Sequence, residues 1–324
     1  MRLLVTGGAG YIGSVCTAVA LEAGHQVTVF DNLSKGHRAA VPAGAQLVTG
    51  DLLDPAGLRG ALAAGFDAVL HLAALIVVPE SVQKPELYYR NNLVGTLNLV
   101  DAMRAAGVRR LVFSSTAAVY GEPETVPITE EAPARPANPY GNTKLAVDRL
   151  LGDESAAHGL GAVSLRYFNV GGAHGGLGED HHPETHLIPN VLAAAAGRAP
   201  AVELFGTDYD TPDGTCVRDY VHIADLAAAH LLALDSAAAG QHAVYNLGSG
   251  EGYSVRQVID AARRVTGRDL AVVERPRRPG DSPRLVASSE RIRTRLGWQP
   301  RHGLDDIVRD AWTWMTDHPQ GYGD

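Results

Sequence analysis

Apolar residues follow two rhythms along this chain. Short, nearly unbroken runs such as Leu3-Leu-Val5, Val69-Leu70 and Leu111-Val-Phe113 alternate with longer stretches where apolar residues recur every three or four positions. Unbroken runs describe strands covered on both faces, as in a parallel sheet. They predict strands over 2–6, 26–30, 45–49, 67–74, 110–116, 165–169 and 244–248. The helical rhythm predicts helices over 14–23, 91–106, 142–158 and 223–234, and a last helix carrying Leu304, Ile307, Val308, Ala311, Trp312 and Met315. Strand and helix in turn give an α/β fold class: a Rossmann-type doubly wound parallel sheet with a smaller α/β domain. The strand at 244–248 returns to the sheet, so the first domain takes 1–169 and 223–250, and the second takes 170–222 and 251–324.

Composition narrows the partners. A length of 324 residues, 45% hydrophobic, suits one large or two modest domains. The net charge of −8, with no long basic stripe, argues against nucleic acid. No apolar run approaches the ~20 residues of a membrane span. Cys16 and Cys216 lack metal-type spacing and read as reduced thiols in a cytoplasmic setting. The first strand begins almost at Met1, so no signal peptide is expected.

The candidate chemistry starts after the first strand. Gly7-Gly-Ala-Gly10-Tyr-Ile-Gly13 joins strand to helix with glycines three apart, which permit a tight turn and present free N–H groups to a pyrophosphate. Asp31 ends the second strand, where a carboxylate accepts from ribose hydroxyls and repels a 2′-phosphate. NAD is therefore favoured over NADP, although Lys35, His37 and Arg38 lie nearby. Asp51 could meet an adenine amino group, and an ordinary turn aspartate fits its position equally well. Ser114, Ser115 and Thr116 close the 110–116 strand, about two dozen residues before Tyr140. Tyr140 and Lys144 stand four apart at the start of a helix and so share a face. A positive charge beside a tyrosine moves its pKa from ~10 toward neutrality, which would make Tyr140 a general base.

These motifs, with Asn91-Asn92, Phe113-Ser-Ser-Thr116, Val119-Tyr-Gly121 and the passage 205–222, resemble the extended short-chain dehydrogenase/reductase superfamily and, within it, the UDP-galactose 4-epimerase family, over residues 1–322. The resemblance implies catalysis by Thr116, Tyr140 and Lys144. It implies an NAD site of Gly7, Gly10, Tyr11, Ile12, Gly13, Asp31, Asn32, Asp51, Leu52, Leu72, Ala73, Ala74, Asn91, Ser114, Tyr140, Lys144 and Tyr167. The UDP-hexose site it implies is Thr116, Tyr140, Asn169, His186, Leu187, Phe205, Arg218, Arg278, Asp281 and Leu285, in a second domain that binds the UDP-sugar. The 4-hydroxyl carbon carries no acidic proton, so inversion there implies transient oxidation to a 4-keto sugar. Sister dehydratases and decarboxylases carry acids just after the threonine, where this chain has Ala117 and Ala118. UDP-N-acetylglucosamine, UDP-glucuronate or a non-catalytic NAD-sensing role remain open alternatives. Ile76 replaces a lysine common in the family, and Leu285 bounds the hexose pocket. A homodimer through the 91–106 and 142–158 helices is implied. His181, His182 and His186, among Glu179, Asp180 and Glu184, show no clear ligand register, so this stretch reads as a substrate-covering loop and no metal is expected.

Overall fold

The computed structural model describes residues 1–278 and 280–323. Seven parallel strands form the central sheet, in the order His242–Leu247, Gly161–Tyr167, Arg110–Thr116, Ala68–His71, Arg2–Thr6, Gln26–Asp31, Gln46–Thr49. The strand Arg2–Thr6 pairs with both Gln26–Asp31 and Ala68–His71. The chain therefore runs outward from the first strand and returns on its other side, and the crevice lies where the direction reverses.

Both faces are covered. Beneath one, the helices Tyr11–Glu22 and Ile223–Ser236 bury Val15, Ala20, Leu226 and Ala233 against Leu3, Val5 and Leu70. On the other, Gly95–Ala105 and Pro139–His158 bury Leu99, Met103, Val147 and Leu151 against Leu4, Val69 and Leu111. A third apolar cluster gathers Leu192, Val258, Ile259 and Ile307 from the helices Leu187–Ala195, Val255–Thr266 and Leu304–Asp317.

The expected 91–106 helix is two elements. A π-helix, Tyr89–Val94, precedes the α-helix Gly95–Ala105. Of the apolar residues expected there, Val100 and Met103 are buried, while Leu97 is 40% exposed. The expected strand at 165–169 divides at Phe168: Gly161–Tyr167 stays in the main sheet, and Asn169–Gly171 pairs instead with Tyr220–His222. Among the described residues, no helix is long and apolar enough to cross a membrane.

Candidate active site

Thr6, Asp31, His71, Thr116 and Tyr167 each end a strand at the carboxyl edge of the sheet. Gly7 turns the chain there with φ +74°, and a Cβ on it would stand 2.5 Å from the Ala73 nitrogen. A Cβ at Gly13 would stand 2.0 Å from the Gly7 carbonyl oxygen, so this glycine lets the helix close on the turn. Gly10 differs: a Cβ there would meet only the Gly7 oxygen, at 3.4 Å. Internal packing makes no demand for glycine at this position, and the space above it is open to a ligand backbone or phosphate. The helix Tyr11–Glu22 begins with no side chain capping its N-terminus, which suits an anion.

Asp31 ties this turn to the second strand. Its Oδ2 accepts from Ala9 N at 3.0 Å and its Oδ1 from Leu33 N at 2.8 Å. Burial raises its pKa, and those two N–H bonds oppose the rise. Asn32 Nδ2 donates to Asp51 Oδ2 at 3.0 Å, while Asp51 Oδ1 accepts from Leu53 N as a turn aspartate does. Leu52 is buried beside them. Leu72 N bonds the Thr6 carbonyl at 3.0 Å, which brings Ala73 against Gly7 and continues the wall through Ala74. An open glycine, an uncapped helix and a carboxylate at the second strand's end together fit a dinucleotide.

The helix Pro139–His158 starts at a proline and is capped by Asn138, whose Oδ1 accepts from Gly141 N at 2.9 Å. Its first two turns place Tyr140 and Lys144 in the interior beside Thr116, all three at least nine-tenths buried. The Thr116 hydroxyl lies beside the Tyr140 phenol and accepts from Ala118 N at 3.1 Å. Lys144 Nζ donates to the Ser114 carbonyl at 2.7 Å and lies 4.7 Å from the Phe113 ring centre. Ser114 Oγ pairs with His230 Nε2 at 3.2 Å, and burial raises the pKa of Tyr167 nearby.

The electrostatics of the chain alone run against the sequence expectation. Burial pushes Tyr140 up to about 12, with the Thr116 side chain opposing it. Burial likewise pulls Lys144 down to about 7, against the Asp148 carboxylate one turn along the same helix. Sharing a helix face does not by itself make a phenolate, because desolvation penalises both charged forms. A positive charge brought in by a bound dinucleotide would favour it.

Two features of this cluster escaped the sequence reading. Asn92, 2% exposed, accepts from Leu75 N at 2.9 Å and donates to Leu75 O at 3.0 Å and Thr143 Oγ1 at 3.2 Å. Thr143 in turn donates to the Tyr140 carbonyl at 2.7 Å. Asn92 thus fastens the wall after His71 to the helix that carries Tyr140, while the expected site residue, Asn91, donates to Asn92 Oδ1. An asparagine within a helical stretch is the signal that could have marked it, since its side chain competes for backbone partners. The second feature is a buried chain in which Asp148 accepts from Arg166 at 2.9 Å, Arg166 donates to the Tyr120 hydroxyl at 3.0 Å, and Tyr120 donates to Asn246 at 2.7 Å.

The expected substrate residues form a second group. Leu285 pairs in register with Arg218, which also pairs with Tyr253. Arg218 donates to the Val217 and Ser282 carbonyls at 3.0 and 2.8 Å and to Asp281 at 3.3 Å. Arg278 stacks 3.8 Å from the Phe205 ring centre. Asn169 N bonds the Asp219 carbonyl at 3.0 Å, and Asn169 pairs in register with Tyr220. His186 caps the helix that begins at Leu187. Ile76, where the family often has lysine, is 42% exposed.

Relatives of known structure share this arrangement. A model of the NAD dependent epimerase/dehydratase family matches residues 3–248. The chain is 55% identical to the UDP-glucose 4-epimerase of Streptomyces lividans, covering 100% of this chain and 98% of that one. A crystal structure of a UDP-glucose 4-epimerase superimposes with a TM-score of 0.97 at 46% identity, over 99% of both chains. The UDP-glucose 4-epimerase of Bifidobacterium longum, solved with NAD+ and UDP, superimposes with a TM-score of 0.94 at 39% identity, over 99% of this chain and 100% of that one.

Proposed function

The chain belongs to the NAD dependent epimerase/dehydratase family, and on that footing we propose that it inverts carbon 4 of a UDP-hexose, interconverting UDP-glucose and UDP-galactose through a 4-keto sugar. The observation that carries this reading is the burial of Thr116, Tyr140 and Lys144 together at the carboxyl edge of the sheet, with Ala117 and Ala118 following the threonine. These groups move a hydroxyl proton, and no acid or base follows them for elimination or decarboxylation.

NAD, when bound, supplies the hydride acceptor and donor and a positively charged ring. Gly7, Gly10, Tyr11, Ile12 and Gly13 would hold its pyrophosphate, and Asp31 its ribose. Asn32, Asp51 and Leu52 would surround its adenine. Leu72, Ala73, Ala74, Asn91, Ser114 and Tyr167 would line the remainder. Tyr140, as phenolate, takes the 4-hydroxyl proton with Thr116 bridging, and returns it when the inverted alcohol forms. Lys144 bonds the nicotinamide ribose and keeps Tyr140 ionised. Arg218 and Arg278 grip the UDP phosphates, Asn169, His186 and Leu187 approach them, Phe205 lines the uracil, and Asp281 bonds its ribose. The keto sugar turns about its pyrophosphate linkage beside Leu285.

We assign the cofactor to 1–169 and 223–250 and the UDP-sugar to 170–222 and 251–324, a division supported by the apolar cluster that lies wholly in the second set, while Leu177, Val221, Ile292 and Trp298 of that set pack into the first. A homodimer is supported by exposed Tyr89, Val94 and Leu97 along the consecutive helices Tyr89–Val94 and Gly95–Ala105, with exposed Val82 on the preceding helix Val78–Gln83. A cytoplasmic setting is supported by two free, buried cysteines.

Proton NMR of UDP-glucose incubated with the enzyme and no added reductant tests the reaction. The galacto-configured anomeric signal is expected. Its absence, with bound NAD confirmed by absorbance, would overturn the reading.

A further inference from the structure

Four side chains outside the catalytic cluster converge on one point. Glu179, His181, Glu184 and His186 each offer a ligand atom, and these atoms all lie within 4.8 Å of one another. We propose that these four residues bind a single divalent transition-metal ion, zinc by the chemistry of the donors, in a closed structural site.

The spacing argues for it. His186 Nδ1 lies 2.8 Å from Glu179 and 2.9 Å from Glu184, and His181 Nδ1 lies 3.1 and 3.8 Å from the same two carboxylates. A tetrahedral zinc with bonds of ~2.0–2.2 Å separates its ligand atoms by about 3.4 Å. These four His–Glu separations bracket that value, and seating the ion would draw the remaining pairs, which lie within 4.8 Å, to the same spacing. Both histidines present the same nitrogen, Nδ1, with their rings 5.4 Å apart and tilted by 51°. Surface ion pairs generally spread into pairs or rows; here both imidazoles turn inward to the same two carboxylates.

The donor types, two imidazoles and two carboxylates, also narrow the ion. Paired imidazole nitrogens select zinc, cobalt or nickel over magnesium or calcium, which prefer all-oxygen shells. Four protein ligands leave no open position, so the ion takes no part in proton or hydride transfer, and through His186 it would fix a residue that the proposed UDP site also uses.

Its position indicates what it holds. His181 packs edge-on against Tyr11, ring centres 6.4 Å apart, and Tyr11 donates to the Gly172 carbonyl at 2.6 Å. Asp180, inside the same segment, accepts from Tyr322 N at 3.0 Å. The ion would staple residues 179–186 over the start of the glycine-loop helix and fix the first turn of Leu187–Ala195. The sequence reading expected no metal here, because the turn that gathers the four residues is invisible in their spacing.

The test uses the untagged, full-length, NAD-loaded protein. Metal is removed with a chelator and cobalt(II) is titrated while visible absorption is recorded. The expected result is one cobalt per chain with the intense bands of a four-coordinate ion, displaced by zinc and absent in both His181→Ala and Glu184→Gln. NAD content and the melting curve of each variant confirm folding. Failure of the wild-type protein to develop those bands at micromolar cobalt would overturn the proposal and leave the four residues as an ion-pair quartet. Bands of full intensity in either folded variant would place the metal elsewhere and overturn it equally.

Discussion

The Lys144 ammonium lies 6.0 Å from the centre of the Tyr140 ring and directs a hydrogen bond into the Ser114 carbonyl, at 2.7 Å. Its influence on the phenol is therefore electrostatic and acts across a gap. Removing that charge should raise the pKa of Tyr140 in the working enzyme. Since the phenolate is the active form, the acid limb of the pH–rate profile for Lys144→Met should move to higher pH, by about one unit or more. Initial rates across pH 6–10 check it, and an unmoved limb would remove Lys144 from this role.

Tyr140→Phe deletes the base and leaves the ring that fills the site. Turnover should fall by roughly a thousandfold, within the range for loss of a general base. NAD content should persist, because the glycine loop and Asp31 are untouched. Measuring the 260 nm to 280 nm absorbance ratio alongside the rate separates loss of chemistry from loss of cofactor.

Lys144 also makes the stability of the cofactor-stripped protein depend on pH. Burial lowers its pKa from 10.5 to about 7. Between those values the unfolded chain holds a proton that the folded chain has shed, so this group's contribution to stability rises with pH across that window. Below pH 7 both states are protonated and the cost of burying the ammonium is at its greatest. Lys144→Met should thus stabilise the stripped protein more at pH 6 than at pH 10, by on the order of a few kcal/mol. Urea denaturation at the two pH values measures the difference.

Asn92 makes a different kind of prediction, because it bonds the supports of the site. Replacing it with Ala leaves the Leu75 N–H and carbonyl without their partner and frees the helix at Thr143. Two effects should follow together: a loss of about 1–3 kcal/mol in stability, and a fall in kcat of about tenfold to a hundredfold from misplacement of Tyr140. A normal kcat in a destabilised variant would reduce Asn92 to a structural role.

Which parts of this molecule could be read from the chain follows from the reach of each interaction. Strand runs such as Leu3-Leu-Val5, and the Tyr140 and Lys144 pair on one helix, rest on local periodicity, and both appear where the sequence put them. The raised pKa of Tyr140 comes from its burial, which the fold as a whole sets, and spacing carries no measure of desolvation. Asn92 was overlooked in favour of its neighbour because its partners, Leu75 and Thr143, lie 17 residues before it and 51 after it. The Glu179, His181, Glu184 and His186 cluster lacked a helical register because an irregular turn gathers it.

Arg218 and Arg278 share a proposed ligand, the UDP phosphates, yet carry unequal structural loads. Arg218 is partly buried and bonds the Val217 and Ser282 carbonyls and Asp281, so it holds together the strands at 217–218 and 284–285. Arg278 is exposed and its recorded contact is the stack on Phe205. A guanidinium that grips a phosphate with two bonds contributes about 1.5–3 kcal/mol, a factor of roughly ten to a hundred in binding. Arg278→Met should raise KM for UDP-glucose by about that factor with a smaller change in kcat, since the contact lies far from the reacting carbon. Its melting temperature should stay within about a degree of wild type, as for a surface substitution. Arg218→Met should raise KM as well and also lower the melting temperature by several degrees, because three carbonyl or carboxylate acceptors lose their donor. In the proposed site, uracil stacked on the face of Phe205 that Arg278 covers would displace that arginine from ring to phosphate. Phe205→Leu should therefore relieve that competition while removing the uracil's own stacking surface, and UDP affinity should fall by less than in Arg278→Met. Isothermal titration of UDP into the three variants ranks them, and a Phe205 variant weaker than Arg278→Met would show that stacking of the base outweighs the grip on the phosphates.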